Sequence, residues 1–143
     1  MLATLLAACA TPGLQAEGGV HILSARPGGT QLSLLPAPRS PVLVVKSPKG
    51  LGSARLEIRQ PLPEGLTIEF PGLRQLEQVS LSDGSRTLTC RGGQELRSDC
   101  SWGERWPVGQ LQRHDNGLTL SLPGELFTQP GRWSLEWVDY WRH

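Results

Sequence analysis

The spacing of apolar residues leaves this chain no stretch that reads as a long helix. They recur at every second position in short runs, and Gly or Pro interrupts each run within a few residues. Period-2 alternation lines one face of a strand, whereas a helix needs apolar spacings of three and four sustained over about 10–12 residues. Ala54, Leu56 and Ile58 alternate with Arg55, Glu57 and Arg59, and Leu66, Ile68 and Phe70 alternate with Thr67 and Glu69. Trp133, Leu135 and Trp137 alternate with Ser134 and Glu136. Val42-Leu43-Val44-Val45 is apolar on both faces, as a central strand is. Val20–Leu23, Gln31–Leu35, Val79–Leu81, Leu88–Cys90 and Leu118–Leu122 complete a set of about eight or nine strands. Between them stand turn signals: Arg26-Pro27-Gly28-Gly29, Asp83-Gly84, Asn116-Gly117 and Pro130-Gly131. Asp83-Gly84 between alternating runs is a strong hairpin signal, because a type I′ turn needs positive φ at both central positions. The one helical rival, Leu73–Val79, is a turn or so long.

The expected fold is therefore all-β: one antiparallel β-sandwich, Ig-like or jelly-roll-like. A chain of 143 residues suits one domain. At that size folding buries roughly 65–70% of the unfolded surface, enough for a core. The alternation assigns that core to Leu56, Ile58, Leu66, Ile68, Leu88, Leu120, Trp133, Leu135 and Trp137. The 17 Gly and 12 Pro agree with a turn-rich chain. A formal charge of +1 with scattered Lys and Arg gives no basic stripe, so nucleic acid is not an expected partner. No apolar run reaches the length of about 18 residues that spans a membrane as a helix.

At the N-terminus, Leu6-Ala7-Ala8-Cys9 resembles the lipobox of bacterial lipoproteins. In that family the signal peptide is cut before the Cys, whose sulfur then carries a diacylglycerol. Small side chains beside the cut suit a signal peptidase, and Ala7 and Ala8 supply them. The resemblance implies a partial signal peptide over 1–8, lipidation at Cys9, a flexible tether over 9–19 and the β-sandwich over 20–143. It further implies a lipid-anchored protein of the bacterial cell envelope, with the membrane as a partner through its anchor. Met1 to Leu6 holds no Lys or Arg and is shorter than a full signal. Either the true start lies upstream or the signal is not a working one. A free-secretion signal ending at Ala8 or Ala16 is the alternative.

With Cys9 assigned to lipid, Cys90 and Cys100 remain, and an even pair in an exported protein reads as a disulfide. A tight hairpin at Gly92-Gly93 would pair Cys90 with Glu95, so the bond is expected to close a wider loop or to link non-neighbouring strands. A zinc site is disfavoured, since the spacing is C-x9-C and no His lies near either Cys in sequence.

The body carries a second resemblance. Ser47-Pro48 with Gly50-Leu51-Gly52, Gly72-Leu73 with Leu76-Glu77, Leu122-Pro123, Phe127 and the closing Leu135-Glu136-Trp137-Val138-Asp139-Tyr140-Trp141-Arg142 look like a pattern in small uncharacterised bacterial envelope proteins. These end in a similar Trp-Val/Ile-Asp-Phe/Tyr-Tyr/Trp-Arg run. The likeness covers residues 41–142 and implies an exported β-domain. It transfers no site.

No catalytic constellation stands in the sequence. There is no G-x-S-x-G and no H-E-x-x-H. His114-Asp115 ahead of Asn116-Gly117 reads as a polar hairpin turn. His21, His114 and His143 have no metal-ligand spacing, and neither a metal nor a cofactor is expected. Asp139 and Arg142 read as a structural ion pair or a cap of the sandwich. Trp133 and Trp137 belong to the core face with Leu135. Trp102 and Trp106 lie in a Gly/Pro-rich stretch and are the candidates for exposed, ligand-binding aromatics. The expected protein is a non-catalytic binding or structural module with an envelope protein or a glycan as partner. The alternatives are a carbohydrate- or cell-wall-binding domain and a small envelope hydrolase.

Overall fold

In a computed structural model, residues 16–36, 41–47, 50–73, 76–91 and 97–138 are described. The described chain is all-β, as the alternation requires, and has no α-helix. Its strands are β1 (Ala16–Glu17), β2 (Val20–Arg26), β3 (Gln31–Leu35), β4 (Val42–Lys46), β5 (Leu51–Ile58) and β6 (Leu66–Pro71). They continue with β7 (Gln78–Ser82), β8 (Thr87–Cys90), β9 (Arg97–Trp102), β10 (Gln110–His114), β11 (Gly117–Leu122) and β12 (Gly131–Val138). A single 3-10 turn, Gly124–Leu126, precedes β12.

Where two separate sheets were expected, the strands form one continuous sheet in the order β1-β2-β5-β12-β7-β8-β9-β10-β11-β6-β4-β3. The sheet curls until β3, at the end of that order, lies against β1 and β2, so the arrangement is barrel-like and nearly closed. It is also mixed. Among the described strands every pairing is antiparallel except β4 on β6, which runs parallel from Val42↔Thr67 to Val44↔Glu69. The turn of the sheet is made within β9. Arg97, Ser98 and Asp99 pair with β10, whereas Cys100, Ser101 and Trp102 pair with β8. A strand that changes neighbours along its length lets a sheet bend a corner without exposing unpaired backbone groups.

The interior follows from alternation. All nine residues assigned to the core are buried, Trp133 at 4% exposure being the most open of them. Trp133 is held between Trp102 and Phe127, with ring centroids 5.7 and 5.1 Å away. Phe70 on β6 reaches Trp137 on β12 at 5.9 Å, joining opposite sides of the curled sheet. Aromatic pairs at such separations stabilise beyond their buried area by about 0.5–1.5 kcal/mol. Val42–Val45 is an interior strand as expected, flanked by β6 and β3.

The hairpin signals produce hairpins with different turns. Ser82 pairs with Thr87, so Asp83-Gly84 opens a four-residue loop. Only Gly84 has positive φ there, and the Asp83 carboxylate accepts from the backbone N–H of Ser85 and Arg86 at 2.8 and 2.9 Å. That side-chain bonding supplies an alternative to the type I′ geometry. At the other hairpin His114 pairs with Gly117, so the loop is Asp115-Asn116. Gly117 begins β11, where a Cβ would lie 2.3 Å from the Phe70 carbonyl oxygen. Residues 16–19, inside the expected 9–19 tether, form β1 and a Gly18-Gly19 turn onto β2, with Ala16↔His21 and Glu17↔Val20 opposite.

Candidate functional site

The two cysteines are joined. Cys90 and Cys100 form a disulfide with their Cα atoms 4.4 Å apart. The register explains the fit. Cys90 is directly opposite Cys100 on adjacent antiparallel strands. The Cys100 N–H donates to Gly109 O at 3.1 Å, and its carbonyl accepts from Val108 N–H at 2.7 Å. Its backbone groups therefore face away from β8, making the Cys90–Cys100 rung a non-hydrogen-bonded pair. Such pairs have the short Cα separation of about 4.5 Å that suits a cross-strand disulfide. Of the two arrangements expected, the bond closes the wider loop and does not link distant strands: β8 and β9 are neighbours, and the two Cys are 10 apart in sequence. Both Cys are fully buried.

The two candidate aromatics separate. Trp102 is not exposed. It continues the alternation of Cys100 on β9, is 7% exposed, stacks on Trp133, and is covered by the Arg86 guanidinium 5.9 Å from its ring centroid. Its Gly/Pro-rich surroundings suggested a loop, but its strand pairing with Leu88 turns it inward. Trp106 is 67% exposed. Its loop is nevertheless anchored. Trp102 and Arg105 exchange backbone hydrogen bonds of 2.9 and 3.0 Å, and the Arg105 guanidinium meets the Glu125 carboxylate at 2.7 Å. Val108 on the other side is tied to Cys100 and buried.

A shallow depression is lined by Asp99, Pro107, Gly109, Gln110, Ser121, Leu122 and Pro123. Asp99, Gln110 and Ser121 are register partners on β9, β10 and β11. Their neighbours Cys100, Leu111, Leu120 and Leu122 point inward, so these three polar side chains form an outward row. The Gln110 amide donates to Asp99 Oδ1 at 3.4 Å. Little in the sequence marks this row, because strands β9 and β10 are mostly polar.

His114 and Asp115 sit at the β10–β11 hairpin, as the sequence suggests. Nε2 of His114 hydrogen-bonds Thr119 Oγ1, and a second depression around them includes Glu69, Pro71 and Asn116. The two side chains form an exposed imidazole–hydroxyl pair that links β10 to β11. His21 is on β2, on the outer face with Glu57, Arg59 and Arg132. The hydrogen bond from Arg59 holds the Glu57 carboxyl below its usual pKa, against a smaller opposing effect of burial. Its ionised form thus favours the fold at neutral pH, a small contribution lost as pH falls through the lowered pKa. Among the described residues no group of His, Cys, Asp and Glu is arranged to hold a metal. An open apolar groove lies between Arg26–Gly28, Leu51–Ser53 and Glu136–Val138. Cys9, Asp139, Tyr140, Trp141, Arg142 and His143 lie outside the described residues.

Comparison with protein families, with curated proteins and with solved structures finds no match.

Proposed function

We propose that this chain is an exported domain of the bacterial cell envelope, held at a membrane by a lipid on Cys9 and serving as a non-catalytic binding or structural module. The observation that carries this reading is the buried Cys90–Cys100 disulfide. Such bonds persist in oxidising compartments and are rare in the cytosol. Leu6-Ala7-Ala8-Cys9 supports the anchor, and the small and polar residues that follow it suit a tether. The body is a flattened barrel, a sandwich whose two faces are joined through β9. The Phe70–Trp137 contact across the interior supports that description.

Two acyl signals give firm attachment, since each buried CH₂ adds about 0.8 kcal/mol. Produced in a bacterial host, the protein should take up labelled palmitate and fractionate with membranes. Cys9→Ser should move it to the soluble fraction and abolish the label. Wild-type protein that is soluble and unlabelled would overturn the anchor.

A further inference from the structure

We infer that the outer face of β2, β5 and β12 docks on an anionic lipid bilayer. The inference deepens the proposed anchor and rests on it for bringing this face to the membrane. Ala54, Leu56 and Ile58 are buried, so Arg55, Glu57 and Arg59 project outward from β5 and the residue after it. The register adds Arg132, opposite Glu57 on β12, and Arg26, opposite Ser53 on β2. Arg59 Nε meets the Glu57 carboxylate at 2.7 Å, and Arg132 Nε lies 4.0 Å from it. Arg26 and Arg55 make no ion pair among the described residues. On these three strands the outward acids are Glu57 and Glu136, so four guanidinium groups against two carboxylates leave an excess of two positive charges. The whole chain carries a formal +1, so the rest of the molecule is net negative and the positive charge is gathered on this face.

The neighbours of these cations select the partner. Arg55 stands between Ser24 and Ser134 on the adjoining strands. Small hydroxyl side chains leave the guanidinium as the tallest group there, and both donate to phosphate oxygens. One end of the face is apolar. Leu51 and Val138 are opposite each other, one outward row beyond Ser53 and Glu136, and Leu51 is 42% exposed. With Pro27 they line the open groove, and Arg26 lines it too. Guanidinium groups beside exposed aliphatic side chains match a bilayer surface, where phosphates border the acyl region. A soluble anion would use the charges and leave the aliphatic end in water. Position agrees with this. Seven peptide steps carry Cys9 to Ala16 at the start of β1, which pairs with β2, so an acylated Cys9 holds that edge within about 25 Å of its lipid. An excess of two charges enriches a face at an anionic surface by roughly 30-fold. That is weak for a free protein and ample for a tethered one, whose effective concentration at the surface is on the order of millimolar.

The full chain carrying Cys9→Ser, which has no site for lipid, is sedimented with vesicles of phosphatidylcholine alone and of phosphatidylcholine with equal phosphatidylglycerol. At about 20 mM salt, binding to the anionic vesicles should exceed that to neutral ones by at least about tenfold, and at about 500 mM the excess should vanish. Near physiological salt the untethered face is too weak to hold the chain, so this variant still fractionates as soluble in cells. Palmitate labelling of the wild type therefore tests the anchor, and vesicle binding of the variant tests the face. Arg55→Glu with Arg132→Glu should abolish the excess at unchanged melting temperature, since both side chains are exposed. Lys46→Glu with Arg113→Glu, the same change of charge on β4 and β10, should retain most of it. Leu51→Ser should weaken binding to the anionic vesicles several-fold. Should the first pair fail to fold, Arg26→Gln with Arg55→Gln gives the same reading, because neither side chain is in an ion pair. The inference is overturned if both vesicle types bind alike at low salt, if the Arg55/Arg132 pair binds as its parent does, or if the Lys46/Arg113 pair loses as much. It is also overturned if glycerol phosphate at constant ionic strength displaces the chain, which would make the face a site for a soluble phosphate.

Discussion

Single residues in this molecule are decided by what lies opposite them. Gly52 on β5 faces Trp137 on β12, and a Cβ there would fall 2.4 Å from the indole and 2.7 Å from the Arg26 carbonyl oxygen. Neither neighbour can yield: Trp137 is fully buried and Arg26 is strand backbone. Gly52→Ala should cost about 2–3 kcal/mol, read as a lowered urea midpoint at unchanged slope. A change within about 0.5 kcal/mol would mean that the Trp137 ring has room to move. The same logic explains which aromatics were legible. Trp133 and Trp137 alternate with Ser134 and Glu136, so their inward face could be read directly. Trp102 follows Arg97-Ser98-Asp99-Cys100-Ser101, in which Cys100 is the one apolar residue to reveal the alternation. Its separation from Trp106 is made by the pairing of β9 with β8, which local sequence does not encode.

At the scale of elements, β9 is the piece on which the sheet turns, and the disulfide fastens the half of it that pairs with β8. The bond spans a sequence separation of 10. Closing such a loop restricts the unfolded chain by roughly 2.5–3 kcal/mol in the chain-entropy account. Reduction should lower the melting temperature by roughly 5–15 °C and leave the protein folded at room temperature, since the rest of the core is independent of it. A melting temperature unchanged by reduction would mean that β8 and β9 are held by packing alone. Most strands were legible because one of their faces is polar and the other is not. Strands β9 and β10 were missed for a physical reason. Leu111 is the one buried residue in β10, so polar neighbours mask its period. The 3-10 turn at Gly124–Leu126 was missed because Pro123-Gly124 reads only as a turn.

For the whole molecule, the all-β class follows from composition and alternation, but the path of the sheet does not. Period 2 says which face of a strand is buried, not which strand lies beside it. The parallel pairing of β4 with β6 and the handover within β9 together convert two expected layers into one curled sheet. Curling leaves short, mutually close edges at β1 and β3, which limits edge-to-edge association of the kind open sheets invite. The function proposed for this body rests on where it resides, and one measurement bears on that most directly: peptide mass spectrometry, without reduction, of the protein extracted from membranes. The account predicts a linked peptide pair containing Cys90 and Cys100, and a mature N-terminal peptide that begins at Cys9 and carries the mass of a diacylglycerol. An intact peptide running from Leu6 through Cys9 with a free thiol, together with alkylatable Cys90 and Cys100, would contradict it.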